Sequence, residues 1–273
     1  DGFGPWPWAL PGLLLGLLAL VRPEYLSLGV LLALVALFRV RWLDGGWAPG
    51  LGAAAVLVIT FLLPIVPWTI RNALVLDRFV PISTGGGKAL FVGTYMPADG
   101  DGPRLREELL RLRPALRSQL AELPRTARLD TALAVIAAQR HPGVPTDVAL
   151  TRMGRENLDR YISDDPVGFG AMLARKAYRA WREGPRPIMH RSGWKAAQKA
   201  LAVLALVGLA VLAARRRWET VPLALLVIAV TAISALLIAS PRRTIVILPV
   251  VGALAGAAIS WPVQRARSSP AAD

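Results

Sequence analysis

The sequence predicts an all-α membrane protein: a polytopic bundle of about six transmembrane helices, with an extracytoplasmic α-helical domain between spans three and four. Three observations lead there. Apolar residues make up 54% of the 273 residues and charged residues 18%, against roughly a quarter charged in soluble domains, and the mean hydropathy is +0.46. Six apolar stretches approach the roughly 20 residues that a bilayer crossing requires. Trp6, Trp8, Trp42, Trp47, Trp68, Trp194, Trp218 and Trp261 stand at or near the ends of those stretches, where an amphipathic ring favours the membrane interface.

The stretches follow in order. The first runs from about Phe3 to Val21 and the second from Tyr25 to about Phe38, separated by Arg22-Pro23-Glu24, where charge and proline call for a turn. The third, Ala48 to Ile70, carries no charge, with Pro64 and Pro67 near its far end. A polar middle follows. Within it Leu105, Leu109, Leu112, Leu116 and Leu120 mark an amphipathic helix over Arg104–Glu122, kinked at Pro114. Asp130–Arg140 and Thr146–Ser163 read as helices, the latter opening on Pro145-Thr146-Asp147, and Pro166–Glu183 as a basic helix with Phe169, Leu173, Ala177 and Trp181 along one side. Ala200–Ala214, Val221–Ala239 and Thr244–Val263 complete the six. The expected division is 1–71 as a three-span segment, 72–195 as the helical domain, 196–263 as three more spans, and 264–273 as a disordered cytoplasmic tail.

Charge sets the orientation. Lys+Arg number 32 against Asp+Glu 18, a net +14, and only Lys88, Lys176, Lys195 and Lys199 are lysines. The Arg-, Ala- and Leu-rich composition suits a GC-rich bacterial genome. Arg39 with Arg41, Arg215–Arg217, and Arg265 with Arg267 fall in short loops on one side, which the excess of positive charge marks as cytoplasmic. Residues 72–195 then face outward in a bacterial plasma membrane. A basic chain this apolar points to lipid headgroups and lipid phosphates as partners, not nucleic acid.

Much chemistry is excluded. With no Cys and only His141 and His190, a disulfide framework, an iron–sulfur cluster, a thiol nucleophile and a His-built metal centre all lack their residues; no metal and no cofactor is expected. Thr84-Gly85-Gly86-Gly87-Lys88-Ala89 departs from the phosphate-loop pattern on both sides, with Ile82 where a Gly belongs and Ala89 where Ser or Thr should follow the Lys. It reads as a flexible outward loop whose backbone N–H groups can approach a ligand. Asp99-Gly100-Asp101-Gly102 is ordinary turn chemistry before it is a calcium site, whose closing acid would fall on Leu110.

The residues that carry function sit on the outward side, against the charge rule: Arg22 with Glu24, then Trp68, Arg71 and Asn72 ending span three, then Arg242 with Arg243. One such Arg alone is an interfacial anchor. Three groups on one face suit a lipid-linked phosphate, which a guanidinium grips with two parallel hydrogen bonds.

At these residues the chain resembles the GT-C type membrane glycosyltransferases, the clan of the protein O-mannosyltransferases and the lipid A aminoarabinose transferase. The resemblance runs through Gly12-Leu13-Leu14-Leu15-Gly16 to Arg22-Pro23-Glu24, through Pro67-Trp68-Thr69-Ile70-Arg71-Asn72, and through Phe79-Val80-Pro81-Ile82-Ser83-Thr84-Gly85-Gly86-Gly87 to Gly93. It continues in Asn157, Tyr161, Pro166, Lys176 and Trp181, and ends in Ser240-Pro241-Arg242-Arg243 with Leu248-Pro249. Thr94, Gly87 and Lys88 depart from the clan's usual residues, and no Tyr separates Arg242 from Arg243. The resemblance implies inverting transfer of a sugar from a polyprenyl-phosphate donor to an acceptor on the outer face, by an Asp or Glu base and without an obligatory metal. That acid belongs to an outward loop after a first span, which this chain lacks, so no catalytic residue is assigned. The chain, opening on Asp1-Gly2-Phe3-Gly4, is expected to be the C-terminal part of a longer protein. Arg22, Arg71, Arg242, Arg243 and Lys88 are then the expected holders of the donor phosphate. Glu24, Trp68, Asn72, Gly85 and Gly86 would orient substrate. The alternative is a non-enzymatic protein, either a flippase or transporter subunit for lipid-linked sugars or an assembly scaffold.

Overall fold

The computed structural model describes residues 4–44, 46–182, 192–215, 220–238, 244 and 247–268. Among them every regular element is a helix. The chain separates into two compact units, Asp1–Thr84 with Ala224–Ala229, and Gly85–Leu223 with Val230–Asp273.

The first unit is built on α1 (Ala9–Val21), α2 (Leu26–Asp44) and α3 (Trp47–Leu76). Glycines set how closely α1 lies on α3. A Cβ at Gly12 would collide with Thr60 Oγ1 and the Leu57 carbonyl, and one at Gly16 with the Phe61 carbonyl, so the small-xxx-small spacing lets two backbones touch. Because Gly12 meets residues 57–60 and Gly16 meets residues 61–64, the two helices run in the same direction. Helix α2 returns antiparallel, with Gly29 against Phe61 and Ala36 and Val40 clustered with Ala53 and Leu57. The Arg22–Glu24 turn and the C-terminal end of α3 therefore lie at the same end of this unit.

Helix α3 runs two turns beyond the expected span end, carrying Arg71 and Asn72 inside the helix. Pro64 and Pro67 do not stop it. Each removes one backbone donor, leaving the Thr60 and Leu63 carbonyls without their intrahelical partner, a loss that apolar helices tolerate. The helix stops where Asp77 turns left-handed at φ 49°. Residues 78–84, expected as the start of the outer domain, fold back onto it.

The second unit begins with α4 (Gly86–Thr94), where the sequence reading expected a flexible loop. The amphipathic helix expected over 104–122 is broken rather than kinked at Pro114, giving α5 (Gly102–Leu112) and α6 (Pro114–Ala121); Pro cannot continue the hydrogen-bond ladder from the turn before it. Helices α7 (Arg125–Arg140), α8 (Thr146–Asp164) and α9 (Pro166–Arg182) follow. Phe91, Val92, Leu105, Leu109, Leu133, Ile136, Leu150 and Met153 form the core shared by α4, α5, α7 and α8, while Phe169 and Met172 of α9 cluster with Tyr161 of α8. Beyond it lie α10 (Ser192–Ala214), α11 (Thr220–Leu236) and α12 (Leu248–Ser268). Helix α12 continues five residues into the segment expected to be a disordered tail.

Among the described residues three helices are long and apolar enough to cross a membrane: Pro23–Val40, Trp47–Leu76 and Gly193–Ala214, with mean hydropathies of 1.6, 2.2 and 2.0. Trp6–Val21, Thr220–Leu236 and Leu248–Trp261 are apolar but shorter. Leu10, Leu14, Leu17 and Val21 on α1 are 47–78% exposed, and Ile59, Leu62, Leu63 and Val66 on α3 are exposed as well. Water does not tolerate continuous bands of this kind on a stable monomer, whereas lipid does.

Candidate functional site

At one end of the first unit, α1 ends at Arg22, whose extended backbone (φ −141°, ψ 98°) lets Pro23 open a 3-10 turn, Pro23–Tyr25, into α2. Arg22 Nη1 donates to Glu24 Oε1 at 3.2 Å. The pair is local, since two intervening bonds of chain hold it rather than any distant element. Tyr25 behind it is fully buried.

Residues 80–82 are fastened to the last turns of α3. The buried Asn72 amide donates to the Val80 and Ile82 carbonyls at 3.2 and 2.9 Å. Trp68 Nε1 donates to the same Ile82 carbonyl at 2.8 Å, and the Thr69 hydroxyl to Pro81 at 2.7 Å. Ile82 then packs with Ala19, Phe61 and Ile65, tying the loop to the end of α1. Asn72 Oδ1 accepts from Arg71 Nη1 at 3.2 Å, and the Arg71 guanidinium lies 5.5 Å from the centroid of the Trp68 ring. The guanidinium is thus spread over an aromatic face with most of its five N–H groups outward. Asn72, expected at the substrate, is instead the staple that shapes this end, because both its donors are taken by backbone.

The glycine loop has a different role from the one expected. Gly85 N and Gly87 N both donate to Asp147 Oδ1, at 2.7 and 3.0 Å. The carboxylate fills the nest of backbone donors that the sequence offered to a ligand, and Gly87 lets α8 approach so closely that a Cβ would strike the Asp147 carbonyl. Lys88 is ion-paired with Asp130. Gly85, Gly86 and Lys88 belong to the second unit, while Arg22, Glu24, Trp68, Arg71 and Asn72 belong to the first. Arg242 and Arg243 lie outside the described residues.

The later residues of the resemblance prove to be tie points. Asn157 Nδ2 donates to Thr94 Oγ1 at 3.3 Å, the buried Lys176 Nζ to the Gly93 carbonyl at 2.6 Å, and Trp181 Nε1 to Thr231 Oγ1 at 2.9 Å. Burial raises the phenol pKa of both Tyr95 and Tyr161 above 10.0; the nearby Glu108 charge adds to this at Tyr95, and Tyr95 itself adds to it at Tyr161.

One constellation escaped the sequence reading. Asp99, in a left-handed turn at φ 55°, accepts from three arginines: Arg175 through Nε and Nη2 at 3.2 and 3.0 Å, Arg179 Nη2 at 2.8 Å and Arg104 Nη1 at 3.3 Å. Asp101 beside it caps α5 by accepting from Arg104 N at 3.0 Å. The signal was present in two halves, an Asp-Gly-Asp-Gly turn and arginines at i and i+4 on a basic helix, but nothing local joined them. Compared with protein-family models, with curated proteins and with solved structures, the chain finds no match in any of the three.

Proposed function

We propose that this chain is part of a bacterial plasma-membrane glycosyltransferase that moves a sugar from a polyprenyl-phosphate donor to an acceptor on the outer face. In this reading six helices cross the membrane and residues 72–195 lie outside. Arg22 and Arg71 hold the donor phosphate, and Glu24 and Asn72 orient the two guanidinium groups.

The observation that supports it is the sharing of one end of the first unit by the Arg22–Glu24 turn and by Trp68, Arg71 and Asn72. A prenyl tail lying along the exposed leucines of α1 and α3 would deliver its phosphate to that end. There, two cations could stabilise negative charge as the lipid phosphate departs. The Arg71 guanidinium, stacked on Trp68 and braced by Asn72, is oriented before any ligand arrives.

The test is binding of a short-chain polyprenyl phosphate to the purified protein in micelles, comparing wild type with Arg22→Ala and Arg71→Ala. Each substitution should weaken binding about tenfold or more, the scale of one charge-assisted bidentate contact. Unchanged affinity in both would remove the assigned roles. If binding is lost in the variants while the complete gene product shows no sugar turnover, the non-enzymatic reading, a carrier of lipid-linked sugars, takes its place.

A further inference from the structure

The second unit contains a cavity of about 550 Å³ where the 96–104 segment meets α9. Its polar wall is Asp99 with Arg104, Arg175, Arg179 and Arg182, four positive charges around one negative. Arg175, Arg179 and Arg182 fall at i, i+4 and i+7 of one helix, where like charges repel at a cost of a few tenths of a kcal/mol per pair. One carboxylate does not neutralise them. Arg104 and Arg175 keep 61% and 58% of their side chains exposed, so donors not used on Asp99 face the opening. Arg179 is more enclosed, and its Nε is buried without a hydrogen-bond partner. That Nε is sealed from the opening, while Arg179 Nη2 donates to the Asp99 carbonyl and carboxylate, so this guanidinium adds charge to the wall and Arg104, Arg175 and Arg182 supply the accessible donors. Arg182 lies over the Tyr178 ring at 5.7 Å, which holds the fourth charge at the rim.

The apolar wall, Met96, Pro97 and Tyr178, leaves room for more than an ion, and the volume falls in the roughly 300–1,000 Å³ range of small-molecule sites. We infer that this cavity binds a phosphorylated ligand carrying two or three negative charges. The phosphate groups sit among Arg175, Arg179 and Arg182, opposite Asp99, and the organic body lies on Met96, Pro97 and Tyr178. The site shares no residue with the Arg22 and Arg71 end, and it stands whether or not the chain transfers sugar.

The experiment is titration of the full chain in neutral-detergent micelles with inorganic pyrophosphate, followed by calorimetry, for wild type, Arg182→Gln, the Arg175→Gln/Arg182→Gln pair, and Arg140→Gln, an exposed arginine outside the cavity. Arg182 is the first target because its ring contact with Tyr178 does not tie it to Asp99. Saturable binding is expected, weakened about tenfold in the pair and less in Arg182→Gln, unchanged in Arg140→Gln, and falling as salt rises. A second arm asks for the source of the phosphate, using phosphatidylcholine nanodiscs with and without phosphatidic acid. Loss of pyrophosphate binding only with phosphatidic acid identifies a lipid headgroup as occupant; equal binding in both identifies a soluble ligand. Absence of saturable binding, or equal affinity in wild type and the Arg175→Gln/Arg182→Gln pair, overturns the inference.

Discussion

Arginine is used in two ways in this molecule. In the first unit Arg22 donates to Glu24 and Arg71 to the Asn72 amide, each to a partner within two residues of chain. In the second unit a single carboxylate, Asp99, is shared by three arginines from two separate segments. A single neighbouring acceptor orients a side chain; Glu24 offsets the charge of Arg22, whereas the neutral Asn72 amide leaves that of Arg71 whole. A shared acid instead holds an excess of positive charge in place, and its removal affects both walls of the cavity at once.

That contrast can be broken most directly at the acids. Asp99→Ala should destabilise the second unit by about 3 kcal/mol, because three guanidinium groups, one of them largely enclosed, lose their acceptor together. Glu24→Ala should cost about 1 kcal/mol, because only one guanidinium, itself partly exposed, loses its acceptor. Chemical denaturation in micelles, followed by tryptophan fluorescence, reads both, and equal losses would erase the distinction. Next in size, Asn72→Ala should cost about 2 kcal/mol by stranding the Val80 carbonyl and leaving Ile82 with the Trp68 donor alone. It should also release residues 80–82, seen as faster amide hydrogen exchange there and none at Gly85 or Gly87.

The smallest effect is a pH dependence confined to the second unit. Tyr95 and Tyr161 have phenol pKa values raised by burial, so the fold favours their protonated forms. Their contribution is intact below pH 10 and declines as pH rises through the elevated values, when the unfolded chain releases its protons first. Tyr95→Phe/Tyr161→Phe should flatten the alkaline limb of the melting profile above about pH 10 without altering it at pH 7.

The apolar helices were legible because lipid-facing and core-facing residues are both apolar, so length and composition alone mark them. Arg22-Pro23-Glu24 was legible as a turn for the same local reason. The end of α3 was placed six residues early because the first charge was taken as the span boundary, whereas the helix stops only where Asp77 goes left-handed. The glycine loop was misjudged through Asp147, which lies 60 residues from Gly87 and gives no local sign that it will occupy those backbone donors. The Asp99 cluster was missed for that reason too: Arg175 and Arg179 reach it across 76 and 80 residues, a separation that only tertiary packing closes.

The buried Lys176 has a mechanical consequence for that cluster. Its ammonium, anchored on the carbonyl just before the 95–100 turn, rivets α9 to the segment that bears Asp99. The two sides of the arginine cavity then shift as a single body, and an incoming guest finds the gap already set to width rather than having to draw it shut.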